Sequence, residues 1–350
     1  MKKKWMGTLS LLLLTATGAV ARTALPPETV EVNRATQVEV VDALVAKFNA
    51  HYVFPDKAKQ VEAVLRQRQR EGRYEGITDA QQLAKQLTDD LDGVVHDKHV
   101  LVAFSARPVP LDDADRPPPT TRAEWEQRVP PEILKRVMAS KFGLEKIEHM
   151  SPRIGYLQIS SFGPNFLVSD KYAAAMNELA DTDGLIIDLR DNGGGGGDSA
   201  ALLISYFFDQ RTRLNDTWER DTNVTTPHWT QEELDGKRYG AKKPVLLLAG
   251  PHTKSAAESF VYTMQALKRA TVIGERTWGG AHGSRPYRLS QHFAAFIPSR
   301  RTISPITHTN WEGVGVIPDL AVTVDDALAV AKDQMQRQLD GGAPPVPAVH

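Results

Sequence analysis

Two short stretches carry residue types suited to acyl-transfer chemistry. The first is TKSAAESF, residues 253–260, which follows the apolar run Val245-Leu246-Leu247-Leu248-Ala249-Gly250. Ser255 stands on a turn between an expected buried strand and a helix expected to begin at Ala256. A serine so placed can act as nucleophile, and the N–H of Ala256 can face the negative charge that develops on a carbonyl oxygen. Ser255-Ala256-Ala257-Glu258 also spells a capping box, S-x-x-E, in which the hydroxyl bonds a free backbone N–H and the glutamate reaches back. On this stretch alone the cap is the stronger reading.

The second stretch is DLRDNGGGGGDSA, residues 188–200, with glycines from Gly193 to Gly197 between a strand and a helix. Glycines there let the backbone approach a ligand closely and aim N–H groups at it. A phosphate cradle is a weak reading, because neither G-x-x-x-x-G-K-[ST] nor an in-register G-x-G-x-x-G is present. A flexible linker is also poor, since a strand and a helix flank the run tightly. An oxyanion hole remains, with one donor from the glycines and the other from Ala256.

The elements that must position these residues alternate. Strands are expected over 153–160, 184–190, 244–250 and 270–275, and helices over Phe166–Ala180, residues 198–208 and Ala256–Arg269. That order indicates an α/β domain with a largely parallel sheet, whose ligand site lies beyond the carboxyl ends of the strands. Residues just after 190, 250 and 275 should therefore meet, Ser255 among them. Upstream, helical spacing over 36–92 predicts a small domain of three helices, and HVLVAF (99–104) reads as a strand. Residues 106–121 are rich in proline and acid and read as loop or linker, followed by a short helix over Ala123–Ser140.

Composition narrows the function classes. With 350 residues, 41% of them hydrophobic and 24% charged, the chain has material for a large core and two domains. A net charge of −1 gives no basic surface for nucleic acid. The absence of cysteine excludes disulfides, thiolate metal sites and a cysteine nucleophile. At the N-terminus, Lys2-Lys3-Lys4, the apolar stretch Leu9–Leu14 and Ala19-Val20-Ala21 form the pattern of a signal peptide, with cleavage after Ala21. The expectation is export to the periplasm or medium with no stable membrane insertion afterwards. An uncleaved anchor is the alternative.

Taken together, GLIIDLRDNGGG, TKSAAESF with ATVIGERTWGGAH, and NWEGVGVIPD (310–319) resemble, in order and spacing, the S41 serine peptidases. That family includes carboxyl-terminal processing peptidases, the tricorn core and the repeats of interphotoreceptor retinoid-binding protein. HYVFP, GRYEGITD and DDLDGVVHDKH are similar to the helical domain of the retinoid-binding-protein-like branch. The resemblance implies a crotonase-like (ClpP-like) parallel-sheet domain over 146–335, preceded by a helical domain over 33–98 and a strand and proline-rich region over 99–145. Residues 336–350 are left as a C-terminal tail. It also implies Ser255 as nucleophile and an oxyanion hole formed by Gly194 or Gly195 with Ala256. No PDZ-like module is evident, because the room between 105 and 150 is too short.

The identity of the base departs from one branch. Processing peptidases pair the serine with the lysine of a T-x-G-K-G motif, and here TWGGA (277–281) puts Gly280 in that place. Lys254 adjoins the serine but points away on a sharp turn, and a solvated lysine is protonated at neutral pH. The tricorn branch uses a histidine and an acid. His99 of HDKH (96–99) matches the histidine, and Glu312 of EGVGVIPD matches the acid. Histidine is poised near neutral pH, and a carboxylate can fix its tautomer. Other readings stand beside these: His99 as a plain strand residue, Glu312 as a solvated loop acid, His96 and His99 as a metal pair lacking a third ligand, and His282 as the runner-up site histidine. Asp97 is expected to bond locally, Asp188 and Arg190 to hold the glycine loop, and Trp278 and Gly279 to line the substrate cleft.

The function expected is a serine peptidase acting on peptides or unfolded polypeptide without cofactor or metal. The alternatives are a non-catalytic binding module for apolar ligands or peptides, as the retinoid-binding relatives suggest, and an esterase-like hydrolase.

Overall fold

The computed structural model describes residues 31–110, 119–129 and 131–341. The leader expected over 1–21 and residues 111–118 of the proline-rich stretch lie outside the described residues. Among the described residues no helix is long and apolar enough to cross a membrane.

The three helices expected upstream form as α1 (Arg34–His51), α2 (Pro55–Arg70) and α3 (Ala80–Val95). Each has a local reason to begin. Asn33 caps α1 by accepting from the Thr36 N–H at 3.0 Å, and Asp79 caps α3 by accepting from Gln82 at 2.7 Å. Pro55 supplies the preset φ and missing donor that suit a first helical position. One helix was expected over 123–140; instead α4 (Arg122–Arg128) and α5 (Pro131–Ala139) form. Pro131 disfavours helical backbone at the residue before it and offers no N–H to continue the first helix.

The downstream region contains two sheets. The first is six-stranded, in the order β11-β8-β7-β4-β3-β2, built from β2 (Leu144–Ser151), β3 (Ile154–Ile159), β4 (Gly184–Asp188), β7 (Val245–Ala249), β8 (Thr271–Gly274) and β11 (Leu320–Ala321). It is parallel except for the β2–β3 pair. Both faces are covered, as parallel strands require. Leu185, Ile187 and Leu247 pack with α6 (Asn165–Leu179), α7 (Gly197–Ser205) and α8 (Ala256–Ala266). Ile186, Leu246 and Leu248 pack on Ala327, Ala331 and Met335 of α9 (Ala327–Leu339). Helix α9 runs into the segment expected to be a tail, because its buried Met335 and Ala331 face the sheet.

The second sheet is antiparallel and was not anticipated. Its members are β1 (Leu101–Phe104), β5 (Arg213–Glu219), β6 (Val224–Trp229), β9 (His282–Arg288) and β10 (Phe293–Ile303), with β10 pairing β1, β5 and β9. One face of it shares a core with the helical layer: Val40, Leu44, Phe48 and Leu87 pack with Phe293, Ala295 and Ile297. The N-terminal helices therefore bury their apolar faces against strands from far along the chain.

Candidate active site

The turn after β7 is bolted to the end of β4. The Thr253 hydroxyl donates to Leu189 O at 2.8 Å and accepts from the Gly250 N–H at 2.9 Å, and the Lys254 N–H donates to Asn192 O at 2.9 Å. Ser255 closes the turn with φ 52° and ψ −116°, a conformation that costs a non-glycine residue about 1–3 kcal/mol. Its backbone N–H donates to Glu258 Oε2 at 2.9 Å, so the glutamate half of the capping box forms. Glu258 is fully buried and also accepts from Thr277 Oγ1 at 2.5 Å, Gly279 N at 2.5 Å and Gly280 N at 2.9 Å. Burial pushes its carboxyl pKa upward, and these donors oppose the shift. One carboxylate thus joins the serine turn to the 277–280 loop.

The glycine run lies beside this turn; Asp188 and Arg190, expected to hold the loop, instead bond each other, Tyr156 and Val324 O. Arg190 donates from Nε and Nη2 to the Asp188 carboxylate at 3.0 and 2.6 Å, and Tyr156 Oη donates to it at 2.7 Å. The glycine N–H groups differ in their partners. Gly193 donates to Ser160 O at 3.0 Å, Gly194 to Asn192 Oδ1 at 2.9 Å, and Gly196 to Phe162 O at 2.7 Å. The Gly194 N–H is thus engaged within the loop itself. The N–H groups of Gly195 and Ala256 have no hydrogen-bond partner among the described residues, and both residues line one cavity with Ser255. Gly195 has φ 130°, and a Cβ there would come 2.1 Å from Phe162 O, so no other residue fits. Gly194 has a packing role: a Cβ on it would lie 2.9 Å from Ser255 Cβ.

The HDKH segment splits between structure and site. His96 ends α3 in the left-handed region (φ 53°) and is exposed. Asp97 is buried; its Oδ1 accepts from the His99 N–H at 3.1 Å, and its Oδ2 meets His282 Nδ1 at 2.7 Å and Tyr52 Oη at 3.3 Å. Asp97 does bond locally, and it also anchors the buried His282. His99 lines the same cavity as Ser255, and its ring packs edge-on to Trp278 with centroids 5.1 Å apart. Burial lowers the His99 pKa; Asp97 opposes this and His282 adds to it.

Glu312 Oε2 lies 3.5 Å from the same His282 Nδ1 that meets Asp97. Its Oε2 accepts from Ala281 N at 2.5 Å and His282 N at 3.2 Å. Burial and Asp97 together raise its carboxyl pKa. One ligand atom each of Asp97, His99 and Glu312 lies within 4.8 Å of the others. His99 Nδ1 and Glu312 Oε1 are buried without a hydrogen-bond partner among the described residues. These two atoms are complementary, one able to carry a proton and the other to accept it. Asp97 Oδ1 accepts only the His99 backbone N–H and so keeps acceptor capacity of its own.

The cavity has a volume of about 670 Å³. Ala201, Ile204, Leu214 and Trp311 give it an apolar side, while His99, His282, Arg285 and Arg300 give it a polar one. Trp278 and Gly279, expected to line the cleft, are not among its lining residues. The Trp278 ring lies beneath the ammonium groups of Lys98 and Lys254, each 5.6 Å from it. Gly279 bonds Glu258 through its N–H and accepts from Gly313 N at 3.1 Å. Both residues shape the loop that carries Gly280.

Two family models match the chain: peptidase family S41 over residues 153–322, and the N-terminal domain of peptidase S41 in eukaryotic IRBP over residues 28–145. The protein belongs to peptidase family S41. It is 25% identical over 180 residues to carboxyl-terminal-processing peptidase 1, chloroplastic, of Arabidopsis thaliana, a match covering 51% of this chain and 35% of that protein. With the tricorn protease of Thermoplasma volcanium it shares 29% identity over 182 residues, covering 50% of this chain and 16% of that one. The chain thus spans about a third or less of the length of these relatives. Among solved structures, a Parabacteroides merdae protein superposes with a TM-score of 0.62 at 19% identity, covering 88% of this chain and 99% of that one, which shows the common fold.

Within this S41 frame, the loop that replaces T-x-G-K-G takes on a physical meaning. A Cβ on Gly280 would lie 2.7 Å from His99 Cε1 and 2.4 Å from Trp278 Cζ3. The His99 ring and Trp278 occupy the space that a side chain at position 280 would need. The adjacent Lys254 spends its ammonium over the Trp278 face. Sequence reasoning missed Asn192 and underrated Glu258. The only signal for either was a polar residue flanking a glycine run or a helix start, and such residues are common on surfaces.

Proposed function

We propose that this protein is a serine peptidase in which Ser255 attacks the carbonyl carbon of a peptide bond and His99 serves as general base. The Ser255 Oγ–carbon bond forms while the Oγ proton passes to His99 Nε2. The negative oxygen is received by the N–H groups of Gly195 and Ala256, at the N-terminus of α8, where the helix dipole also favours negative charge. His99 then returns the proton to the departing amine, and water hydrolyses the acyl-enzyme by the reverse sequence. Glu312 orients His99 through Nδ1 and stabilises the imidazolium.

The observation that carries this reading is the convergence on one cavity of Ser255, His99 and the two uncommitted N–H groups, with Gly280 leaving space for the imidazole. The apolar side of the cavity suits a hydrophobic side chain next to the scissile bond of a short peptide or unfolded chain. A fluorophosphonate probe tests the nucleophile. It labels the wild type and not Ser255→Ala, and equal labelling of both would refute the assignment. Casein, short peptides and simple esters offered in parallel define the bond cleaved; turnover of esters alone would make the protein an esterase.

A further inference from the structure

Arg300 is the one cavity-lining cation that has no hydrogen bond or ion pair among the described residues. It lies on β10, opposite Gly283 of β9 and Glu219 of β5. Its side chain runs across the Gly283 backbone: a Cβ on that glycine would sit 3.4 Å from Arg300 Cβ and 4.0 Å from Cζ. This places Arg300 on the same face of the sheet as Gly283, and it lines the same cavity as Ser255 and His99.

Neighbouring charges do not satisfy it. Glu219, its cross-strand neighbour, is committed to Arg285 at 2.6 Å. Asp198, exposed at the start of α7, acts on Arg300 electrostatically but forms no ion pair with it. Arg285 adds a like charge. Arg300 Nε is buried with no partner, and the guanidinium is half-buried. An arginine cannot shed its proton to relieve such burial, and Glu219 and Asp198 offset its charge only without direct contact, so an anion in the cavity meets a guanidinium with donors to spare. A guanidinium presents a fork of donors that matches a carboxylate.

We propose that Arg300 is a specificity-determining residue that anchors a substrate carboxylate in the cavity, so that the site takes peptides bearing a carboxylate close to the reacting bond. That carboxylate belongs either to an acidic side chain or to the chain terminus; the recognition chemistry is the same. The inference rests on the peptidase reading for its meaning, but its test does not require cleavage.

Fluorescent peptides are titrated against the full chain carrying Ser255→Ala. One pair differs only in a free C-terminal carboxylate against a C-terminal amide. The other pair, amidated throughout, differs in one glutamate against glutamine. In at least one pair the carboxylate form should bind about tenfold tighter or more. Adding Arg300→Gln should abolish that preference, and Arg300→Lys should retain part of it, since lysine keeps the charge but not the fork. Equal binding in both pairs would overturn the proposal without any further variant, as would a preference that Arg300→Gln leaves unchanged. A carboxylate preference in Ser255→Ala supports the anchor even if the wild type cleaves neither peptide, and that failure of cleavage would count against the peptidase reading alone.

Discussion

Replacing Gly280 by alanine tests the site with a single methyl group. Gly280 is not in the left-handed region, so alanine meets no backbone penalty there. The cost is steric: the new Cβ would stand 2.7 Å from His99 Cε1 and 2.4 and 2.8 Å from two Trp278 ring carbons. Carbon atoms rest about 3.5–4.0 Å apart, so the imidazole must retreat by about 1 Å. Displacement of a reacting group by about 1 Å can cost about 10²-fold in rate. The overpacking itself should cost about 1–3 kcal/mol of stability. The assay is kcat/KM on a peptide found to be cleaved, alongside the rate of fluorophosphonate labelling and urea unfolding of the same preparation. Both rates should fall by about two orders of magnitude while the protein stays folded. Gly93→Ala serves as control, because that glycine lies in α3 with nothing within 4 Å of an added Cβ. It should leave activity intact and stabilise the helix by roughly 0.5–1 kcal/mol. Wild-type kcat/KM in Gly280→Ala, with unchanged labelling, would refute the idea that His99 must stand against Gly280 to act.

Three further outcomes follow from the same geometry. Because burial lowers the His99 pKa, the acid limb of kcat/KM should fall below the ordinary histidine value of about 6.5; His99→Ala should be as damaging as Ser255→Ala and Glu312→Gln milder, whereas an active His99→Ala with the same limb would move the base to His282. The depressed pKa also means that the unfolded chain takes up this proton first, so the His99 contribution to stability is present above about pH 6.5 and is lost as pH falls, which urea midpoints across pH can follow. Glu258→Ala strips a fully buried acceptor from the N–H groups of Ser255, Gly279 and Gly280 and from the Thr277 hydroxyl, so it should destabilise by at least about 3 kcal/mol; a urea midpoint equal to wild type would show that those donors find other partners.

The parts of this molecule legible in the sequence are those where local chemistry and long-range packing agree. The apolar runs of β4 and β7 could only be buried strands, and the glycine run and Ser255 fall just past their ends, where a parallel sheet collects its ligands. The antiparallel sheet was illegible for the opposite reason. RLNDTWE and HGSRPYR mix charge, proline and small residues because one side lines a wet cavity while the other packs on helices, so neither shows a clean period of two. The choice between Gly194 and Gly195 could not be made from type or spacing. It turns on a single side-chain amide, Asn192, which consumes one N–H and leaves the next free. Trp278 misled as a cleft residue because an aromatic ring beside a catalytic loop serves equally well as packing, and here two lysines cover it.

Assembly of the site depends on how the two sheets meet. The nucleophile turn and both uncommitted N–H groups belong to the parallel sheet and its helices, and their supporting bonds, from Thr253, Asn192 and Glu258, are all made there. His99 comes from the junction between α3 and β1. Its position is set by the register of β1 on β10, Leu101 opposite Phe296 through Phe104 opposite Phe293. Because β10 also pairs β9 with Arg301 opposite His282, the two histidines, Asp97 and the Glu312 loop are carried on one strand arrangement. Trp311 Nε1 ties that loop to Gly280 O at 2.8 Å, and Lys98 bonds Trp278 O. On the proposed mechanism, electrophilic stabilisation is therefore built within one layer, while proton transfer is supplied across a layer interface. A base delivered in this way needs the helical domain docked. A lysine at position 280 would have come from the same loop that Glu258 already holds. On the proposed mechanism, a base at His99, between α3 and β1, in place of a lysine at position 280 makes the N-terminal helices part of the catalytic apparatus.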